Sequence, residues 1–180
     1  MPAIRSHSLV PISRLHFMEI TTIPSKILAQ KLAPVKEITP EITALISSMH
    51  AQMVESKGIG LAANQIGIDL QIFVIDKEIA KENNVPNAYL NPEITEYSEE
   101  ESEMEEGCLS IPEYFVNISR PKKIKIKAMD ENGNKVKFRA RGLLARVLQH
   151  EYDHLNGKLI RDRARGDVEV KKARSKQYGE

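Results

Sequence analysis

Two histidines four residues apart, with a glutamate directly after the first, constrain this chain more than any other feature. They are His150, Glu151 and His154. Positions i and i+4 of an α-helix lie on one face, so both imidazoles can reach a single point. Glu151 would lie about 100° around the helix from His150, beside a bound metal ion and free to handle a proton. The pattern is typical of zinc-type hydrolases, although such short patterns also occur on ordinary surface helices.

The flanking residues favour a largely buried helix. Apolar side chains recur beside the histidines at helical spacing, at Leu143, Leu144, Val147, Leu148 and Leu155. Gly157, which follows Asn156, is a plausible C-terminal cap. Buried imidazoles are costly without polar partners, and one metal ion would satisfy two of them.

Length and composition limit the classes of protein to consider. A chain of 180 residues with 41% hydrophobic and 28% charged residues indicates one soluble globular domain. The net charge of +1 gives no reason to expect direct nucleic-acid binding, and no stretch approaches the roughly 18 apolar residues that span a membrane. Cys108 is the only cysteine and cannot form an internal disulfide, which favours a reducing compartment such as the cytoplasm.

The two ends of the chain differ from its middle. Residues 1–17 contain arginine, histidine and serine but no acidic residue. This composition weakly resembles an organelle transit peptide, so organellar import stays open, but we favour a disordered extension or a true start at Met18. Residues 164–180 are polar and basic and predict a C-terminal tail. The folded domain is therefore expected over residues 18–163.

Between these ends the pattern predicts helices mixed with strands. Thr39 and Pro40 begin a helix with a core-facing apolar stripe at Ile42, Leu45, Ile46, Met49 and Met53. Strands are predicted at 71–76, 89–92, 94–97, 115–118, 122–128 and 135–141, with a hairpin turn at 130–133. Residues 78–84 are expected to form a polar connection, and the glutamate-rich residues 99–106 a solvated loop.

Glycines and small residues crowd together in residues 58–67, with one amide at Gln65. A phosphate-binding loop is the first alternative, but no Lys-Ser/Thr pair follows and no strand directly precedes it. Small residues also allow the backbone to approach a ligand or another strand closely. We therefore expect the backbone of residues 58–67 to lie close to a ligand or to another strand, and we do not expect it to bind a nucleotide.

A catalytic site of the zinc type needs three protein ligands and an open position for water. No histidine follows His154, which excludes the longer metzincin pattern. Acidic residues remain candidates for the third ligand. Cys108 is another, because the hairpin that follows it leads the chain back to the helix.

Three stretches together resemble the three signature motifs of the peptide deformylase family. They are Gly-Ile-Gly-Leu-Ala-Ala-Asn-Gln at 58–65, Glu-Gly-Cys-Leu-Ser at 106–110 and Gln-His-Glu-Tyr-Asp-His at 149–154. Their order and spacing agree with the family, and the resemblance covers roughly residues 20–163. Residues 164–180 lack the clear amphipathic helix with which bacterial members often end.

The resemblance implies an α+β fold in which antiparallel strands pack around a central metal-binding helix, with the helix at 40–56 outside. It implies that Cys108, His150 and His154 bind one divalent metal ion per chain. Fe²⁺ is the expected native ion, and Zn²⁺, Ni²⁺ or Co²⁺ could also occupy the site. A ferrous ion with a thiolate ligand would be sensitive to oxidation.

The implied activity is removal of the N-formyl group from the N-terminal formylmethionine of newly made polypeptides, with release of formate. Glu151 would take a proton from the attacking water and deliver it to the leaving amine. The Gln65 amide and the Leu109 backbone N–H would stabilise the oxyanion. The nascent polypeptide is the expected partner and the ribosome a further candidate, whereas the sequence leaves the oligomeric state undetermined.

The resemblance also places the substrate. By motif position, Ile59, Leu143 and Val147 are candidates to line an apolar pocket for the methionine side chain. Backbone near Gly60 and Gly107 would pair with the peptide as an added strand.

We also predict the positions and partners of several charged residues near the motifs. Arg146 stands where the family often has an apolar residue, and we expect it at the pocket rim, where it would affect substrate preference. Asp153 would accept a hydrogen bond behind the ligands or pair with a surface cation. Arg120 would pair with Glu106 behind the metal site or stay solvated.

Two other functions are open at this stage. A metalloprotease would use the same helix with a different third ligand, and replacing Cys108 by Asp or Ser would then leave metal binding intact. A non-catalytic protein that binds peptides or the ribosome is disfavoured, because the candidate catalytic residues are all present: Gln65, Cys108, His150, Glu151 and His154.

Overall fold

The structure, a computed structural model, describes residues 19–164. The predicted N-terminal extension and all but the first residue of the predicted tail lie outside the described residues. The helices and strands are α1 (Pro40–Glu55), β1 (Gly60–Ala62), β2 (Ile72–Ile75), α2 (Lys77–Glu82), β3 (Ala88–Tyr97), β4 (Glu101–Cys108), β5 (Ile111–Pro121), β6 (Lys123–Met129), β7 (Lys135–Arg141), α3 (Gly142–Leu155) and α4 (Ile160–Arg163). Short 3₁₀ turns at Lys26–Ala29 and Ala63–Ile66 complete them.

Antiparallel pairing joins the strands into two separate sheets. The main sheet has the order β1-β2-β3-β6-β7, and β4 and β5 form a small sheet of their own. In the main sheet Ile72 and Val74 of β2 pack toward α1, whereas Phe73 and Ile75 pack toward α3. A strand covered on both faces must be apolar at every position, which explains its uninterrupted apolar run.

The two long helices lie on opposite faces of the main sheet. The predicted apolar stripe of α1 is buried throughout, at Ile42, Leu45, Ile46, Met49 and Met53. On the other face α3 buries Leu144, Leu148 and Leu155 against the sheet and also contacts β5 of the small sheet. The predicted α+β fold with antiparallel strands is confirmed. Among residues 19–164, no helix has both the length and the apolar character to cross a bilayer.

The glutamate-rich segment, predicted to be a loop, is a strand. It forms β4, which pairs antiparallel with β5 from Glu101 opposite Pro121 to Glu106 opposite Val116. The pairing satisfies the backbone groups while most of the glutamate side chains stay in water, and Glu106 alone turns inward. Backbone pairing therefore overrode a composition that is typical of loops.

Residues 78–84 also differ from the prediction of a plain connection, because most of the short helix α2 lies within them. The carboxylate of Asp76 accepts hydrogen bonds from the N–H groups of Glu78 and Ile79 at 2.9 and 3.1 Å. This is an N-cap, and it supplies partners for otherwise unpaired amides of the first turn. The two short strands predicted in 89–97 are one strand, β3, with register shifts along its pairing with β6.

Candidate metal centre

The position of His154 is set by the end of α3. The Gly157 N–H donates to the His154 carbonyl at 3.1 Å, with Gly157 at a φ of 68°. The Asn64 side chain donates to the same carbonyl at 2.8 Å. Gly157 is thus the predicted C-terminal cap, since a left-handed φ favours glycine there. Asn64 also holds this turn, a role that the sequence analysis missed although Asn64 lies inside the first motif.

Cys108, His150 and His154 meet at one point. Their ligand atoms all lie within 4.8 Å of one another, and the Cys108 Sγ is 3.3 Å from the His154 Nε2. Metal–ligand bonds of about 2.0–2.3 Å in a tetrahedral site place donor atoms roughly 3.5 Å apart. One thiolate and two imidazoles are also a chemically suitable donor set, so the residues fit a single divalent ion.

Glu106 orients the first histidine. Its Oε2 is 3.0 Å from the His150 Nδ1, which leaves the His150 Nε2 available to a metal ion. Arg120 donates to both carboxylate oxygens of Glu106, from Nε at 2.6 Å and from Nη2 at 2.9 Å. Of the two alternatives left open for Arg120, the structure shows the pair with Glu106 rather than solvation. Asp153 extends this hydrogen-bond network, because its carboxylate accepts hydrogen bonds from Arg120 at 2.8 Å and from the Arg163 Nε at 3.0 Å.

The sequence predicted that Arg146 would lie at the rim of the pocket, and the structure places it elsewhere. It is buried, and its Nη1 donates to the Glu106 Oε1 at 2.7 Å. A guanidinium that enters a protein interior needs a carboxylate partner, and Glu106 lies within its reach. The sequence could not reveal this pairing, because Glu106 and Arg146 are 40 residues apart.

Burial and neighbouring charges perturb the titration of this cluster. Burial favours the neutral His150, but its hydrogen bonds to Cys108 and Glu106 outweigh burial and raise the pKa of His150 to about 10. Burial lowers the pKa of His154 well below its ordinary value, and the His150 charge lowers it further. Burial alone would raise the pKa of Glu106, yet His150 and Arg120 hold it well below its usual range. A divalent cation here would favour the thiolate and neutral imidazoles that coordination requires.

Glu151 lies beside the cluster with its carboxylate buried. Its Oε2 has no hydrogen-bond partner among residues 19–164. Burial raises the pKa of Glu151 to about 7, although the charges of His150 and Arg120 oppose the shift. Gly60 makes room for this carboxylate, because a Cβ at Gly60 would overlap it. The arrangement provides an unpartnered acid or base that can exchange a proton near neutral pH.

The Gln65 side chain is oriented with its donor group toward the cluster. The Gln65 Oε1 accepts from the Ala62 N–H at 2.9 Å, and the Gln65 Nε2 is 3.3 Å from the Ser110 Oγ and 3.8 Å from the Cys108 Sγ. Leu109 follows Cys108 in the turn between β4 and β5 and borders the same space. Ser110 is fully buried and helps to hold Gln65, a contact that its place in the second motif could have suggested.

A cavity of about 650 Å³ opens beside the cluster. The predicted substrate-binding residues all line it: Ile59, Gly60, Gly107, Leu143 and Val147. Leu143 was also counted in the apolar stripe of α3, but it is 48% exposed and belongs to the cavity mouth rather than to the core. The volume is in the ordinary range for a small-molecule or peptide side-chain site.

Two further apolar side chains at the mouth were missed by the sequence analysis. Met104 and Phe115 are partly exposed and line the cavity together with Ile59 and Leu143. Met104 was hidden in the glutamate-rich segment, and only its pairing in β4 shows which way it faces. The ring of Phe115 covers the Cα of Gly107, where a Cβ would lie 2.6 Å from the ring.

A cysteine sulfur and two imidazoles beside an unpartnered carboxyl group and an amide donor, all on an apolar cavity, are the features of a mononuclear metal hydrolase. Comparison with known proteins narrows this class. The sequence profile of the polypeptide deformylase family matches residues 17–169. The peptide deformylase of Psychrobacter cryohalolentis is 41% identical over 169 residues, which cover 89% of this chain and 91% of that one. That of Treponema pallidum (strain Nichols) is 42% identical over 146 residues, which cover 81% and 87%.

Solved structures agree with the sequence comparison. The peptide deformylase of Thermotoga maritima superposes with a TM-score of 0.78 at 41% identity, covering 84% of this chain and 99% of that one. The enzyme of Synechococcus elongatus in complex with actinonin gives 0.78 at 37% identity, covering 84% and 80%. The chain belongs to the peptide deformylase family. It is a metal-dependent hydrolase that removes the N-formyl group from the formylmethionine of new polypeptides and releases formate, so the metalloprotease alternative is rejected.

Proposed function

We propose that Cys108, His150 and His154 hold the metal ion of this deformylase and that Glu151 moves the proton. The observation that carries the proposal is the meeting of three donor atoms within 4.8 Å, from a strand and a helix, beside an apolar cavity. When bound, the ion supplies Lewis acidity, which makes water easier to deprotonate and polarises the formyl carbonyl.

Glu151 is the general base and then the general acid. Its carboxylate takes the proton of the attacking water and delivers it to the amine nitrogen as the bond to the formyl carbon breaks. The unpartnered Oε2 supports this role, because no hydrogen bond from the described residues must be broken first.

The Gln65 amide and the Leu109 backbone N–H stabilise the negative charge on the formyl oxygen. The hydrogen bond from the Ala62 N–H holds the Gln65 carbonyl away from the cluster, so its NH₂ group is presented to the substrate. A donor that is already oriented costs no reorganisation when the oxyanion forms.

The polypeptide binds as an added strand, with its methionine side chain in the apolar cavity. Among residues 19–164, β1 is an edge strand of the main sheet and β4 pairs with no strand but β5, so each has a free edge. Gly60 and Gly107 lie on these two edges, where a peptide backbone can hydrogen-bond. Ile59, Leu143 and Val147 then contact the methionine side chain.

Fe²⁺ is the proposed native ion, with Zn²⁺, Ni²⁺ and Co²⁺ as possible substitutes, because thiolate and imidazole donors suit all four. The chain would act in the cytoplasm on polypeptides that emerge from the ribosome. Residues 18–163 would form the catalytic domain, between an extension at 1–17 and a tail at 164–180.

The test is anaerobic turnover of formyl-Met-Ala-Ser, with formate release and metal content measured on the same sample. Activity should disappear on chelation and return with Fe²⁺. Glu151→Ala should keep one metal per chain and lose about 10²-fold or more in rate. Metal at one per chain without formate release from the wild type would contradict the proposed substrate, and turnover of Glu151→Ala within a few-fold of the wild type would contradict the proposed base.

A further inference from the structure

Arg146 is a buried charge that the proposed chemistry does not use. It lies on α3 one helical turn before His150, and its side chain is only 7% exposed. It also lines the inner wall of the cavity, which is otherwise mainly apolar. Burying a guanidinium is costly unless its hydrogen bonds are satisfied, so its contacts indicate what it does.

Both terminal nitrogens of Arg146 bind the small sheet. Nη1 donates to the Glu106 Oε1 at 2.7 Å and to the Ile118 carbonyl at 3.0 Å. Nη2 donates to the carbonyl and the hydroxyl of Ser102, at 2.7 and 3.2 Å. These acceptors lie on both strands, β4 and β5. One side chain therefore fastens α3 to the whole width of the small sheet.

This joint matters because the metal site is divided between two elements. Cys108 arrives on β4 of the small sheet, whereas both histidines arrive on α3. In the described part of the chain the small sheet shares no strand with the main sheet, so the position of the Cys108 sulfur depends on how β4 and β5 dock on α3. Two further contacts link α3 to β5, from the Gln149 Nε2 to the Pro121 carbonyl at 3.0 Å and from the Arg120 Nη1 to the Asp153 Oδ2 at 2.8 Å.

Charge neutralisation does not explain Arg146, because Glu106 already has a bidentate partner in Arg120. Arg146 instead adds a third anchor to a carboxylate whose other oxygen lies 3.0 Å from the His150 Nδ1. Residues that hold a metal-ligating histidine through such a carboxylate tune the affinity of the site. Arg146 therefore fixes the position of Glu106 rather than neutralising its charge.

We propose that Arg146 is a positioning residue of the metal centre, which fixes Glu106 behind His150 and docks the strand that carries Cys108. The inference rests on the proposed metal ligands but not on the substrate, because its first readout is metal binding. It differs from the expectation that Arg146 affects substrate preference from the pocket rim.

The test compares Arg146→Met, which keeps an unbranched side chain on the cavity wall, with the wild-type holoenzyme. Chelator competition should show the dissociation constants for Zn²⁺ and Co²⁺ raised by about 10-fold or more. The visible absorption of the Co²⁺ form should shift, since the ligand geometry changes. For formyl-Met-Ala-Ser, kcat should fall while KM stays within about two-fold, as expected if Arg146 acts through the metal centre rather than by binding substrate.

Two further variants sharpen the result. Arg146→Lys keeps the charge but loses the planar fork, so its metal affinity should lie between those of the wild type and Arg146→Met. Arg139→Met is the matched control, because the Arg139 side chain is exposed and its ion pair within residues 19–164 is a long one, with Glu96 at 3.7 Å, so the variant should match the wild type in every readout. If Arg146→Met fails to fold, Arg146→Lys decides by the same measurements.

Two results would overturn the inference. Unchanged metal affinity with a raised KM would make Arg146 a substrate-pocket residue. Unchanged metal affinity and kcat with only lower thermal stability would make it a packing residue. Wild-type protein that binds metal without releasing formate would contradict the proposed function, and the metal affinities of the variants would still decide the role of Arg146.

Discussion

Gly60→Ala tests the contact between the first motif and the carboxylate of Glu151, the proposed general base. A Cβ at Gly60 would overlap the Glu151 Oε1 and lie 2.8 Å from its Cδ and 2.9 Å from its Cγ. Ordinary carbon–carbon contacts are about 3.5–4.0 Å, so the Glu151 side chain must retreat by roughly 1 Å. Gly60 has no left-handed φ, so alanine should not strain the backbone, and the clash with Glu151 is the main consequence.

The expected effect on catalysis follows from the displacement. Moving a catalytic group by about 1 Å can cost about 10²-fold in rate. We therefore expect Gly60→Ala to lower kcat for formyl-Met-Ala-Ser by about 100-fold, with one metal ion per chain retained because the three ligands are untouched. Formate release and metal content on the same anaerobic sample measure both quantities.

A double-mutant cycle with Glu151→Ala isolates the contact. Overpacking a filled site typically costs about 1–3 kcal/mol, so Gly60→Ala should destabilise the wild type by that amount in urea unfolding. In the Glu151→Ala background the space is empty, so Gly60→Ala should hardly change the free energy of unfolding. Equal destabilisation in both backgrounds, or a kcat within about three-fold of the wild type, would refute the reasoning.

Three other predictions concern the oxyanion donor, the third ligand and the end of α3. Gln65→Leu should lower kcat by about 10²-fold with metal retained, and a loss under five-fold in steady-state assays would exclude Gln65 as an oxyanion donor. Cys108→Ser should purify with much less than one metal per chain by elemental analysis, and full occupancy would show that the thiolate is dispensable. Gly157→Ala should destabilise the protein more than Gly142→Ala in urea unfolding. Both glycines have positive φ, but a Cβ at Gly157 would also lie 2.6 Å from the Ala29 carbonyl carbon, whereas a Cβ at Gly142 meets nothing within 4 Å. Equal losses of unfolding free energy in the Gly157→Ala and Gly142→Ala variants would show that the backbone of Ala29 moves aside.

The local elements of the fold could be predicted because their signals lie close together in the chain. The 3.6-residue period of apolar side chains marks α1 and α3, and the i, i+4 spacing of His150 and His154 places both on one helical face. The β6–β7 hairpin was predicted from alternation and a turn, and its register pairs Lys123 with Arg141. The prediction failed for β4, because its composition favours solvent and only pairing with β5 makes it a strand.

By itself, then, the sequence determined the helix that carries the two histidines, the family through its three motifs, and the candidate ligands and candidate catalytic groups, since these depend on residue identity and short-range spacing. Only the tertiary structure decided where long-range partners meet. In the tertiary structure Arg146 hydrogen-bonds to Glu106 instead of lying at the rim of the pocket, and Gly60 packs against the Glu151 side chain. The physical reason is that these contacts join residues 40 to 91 positions apart. Such contacts form only when separate elements pack together, and no local pattern of residues encodes that packing.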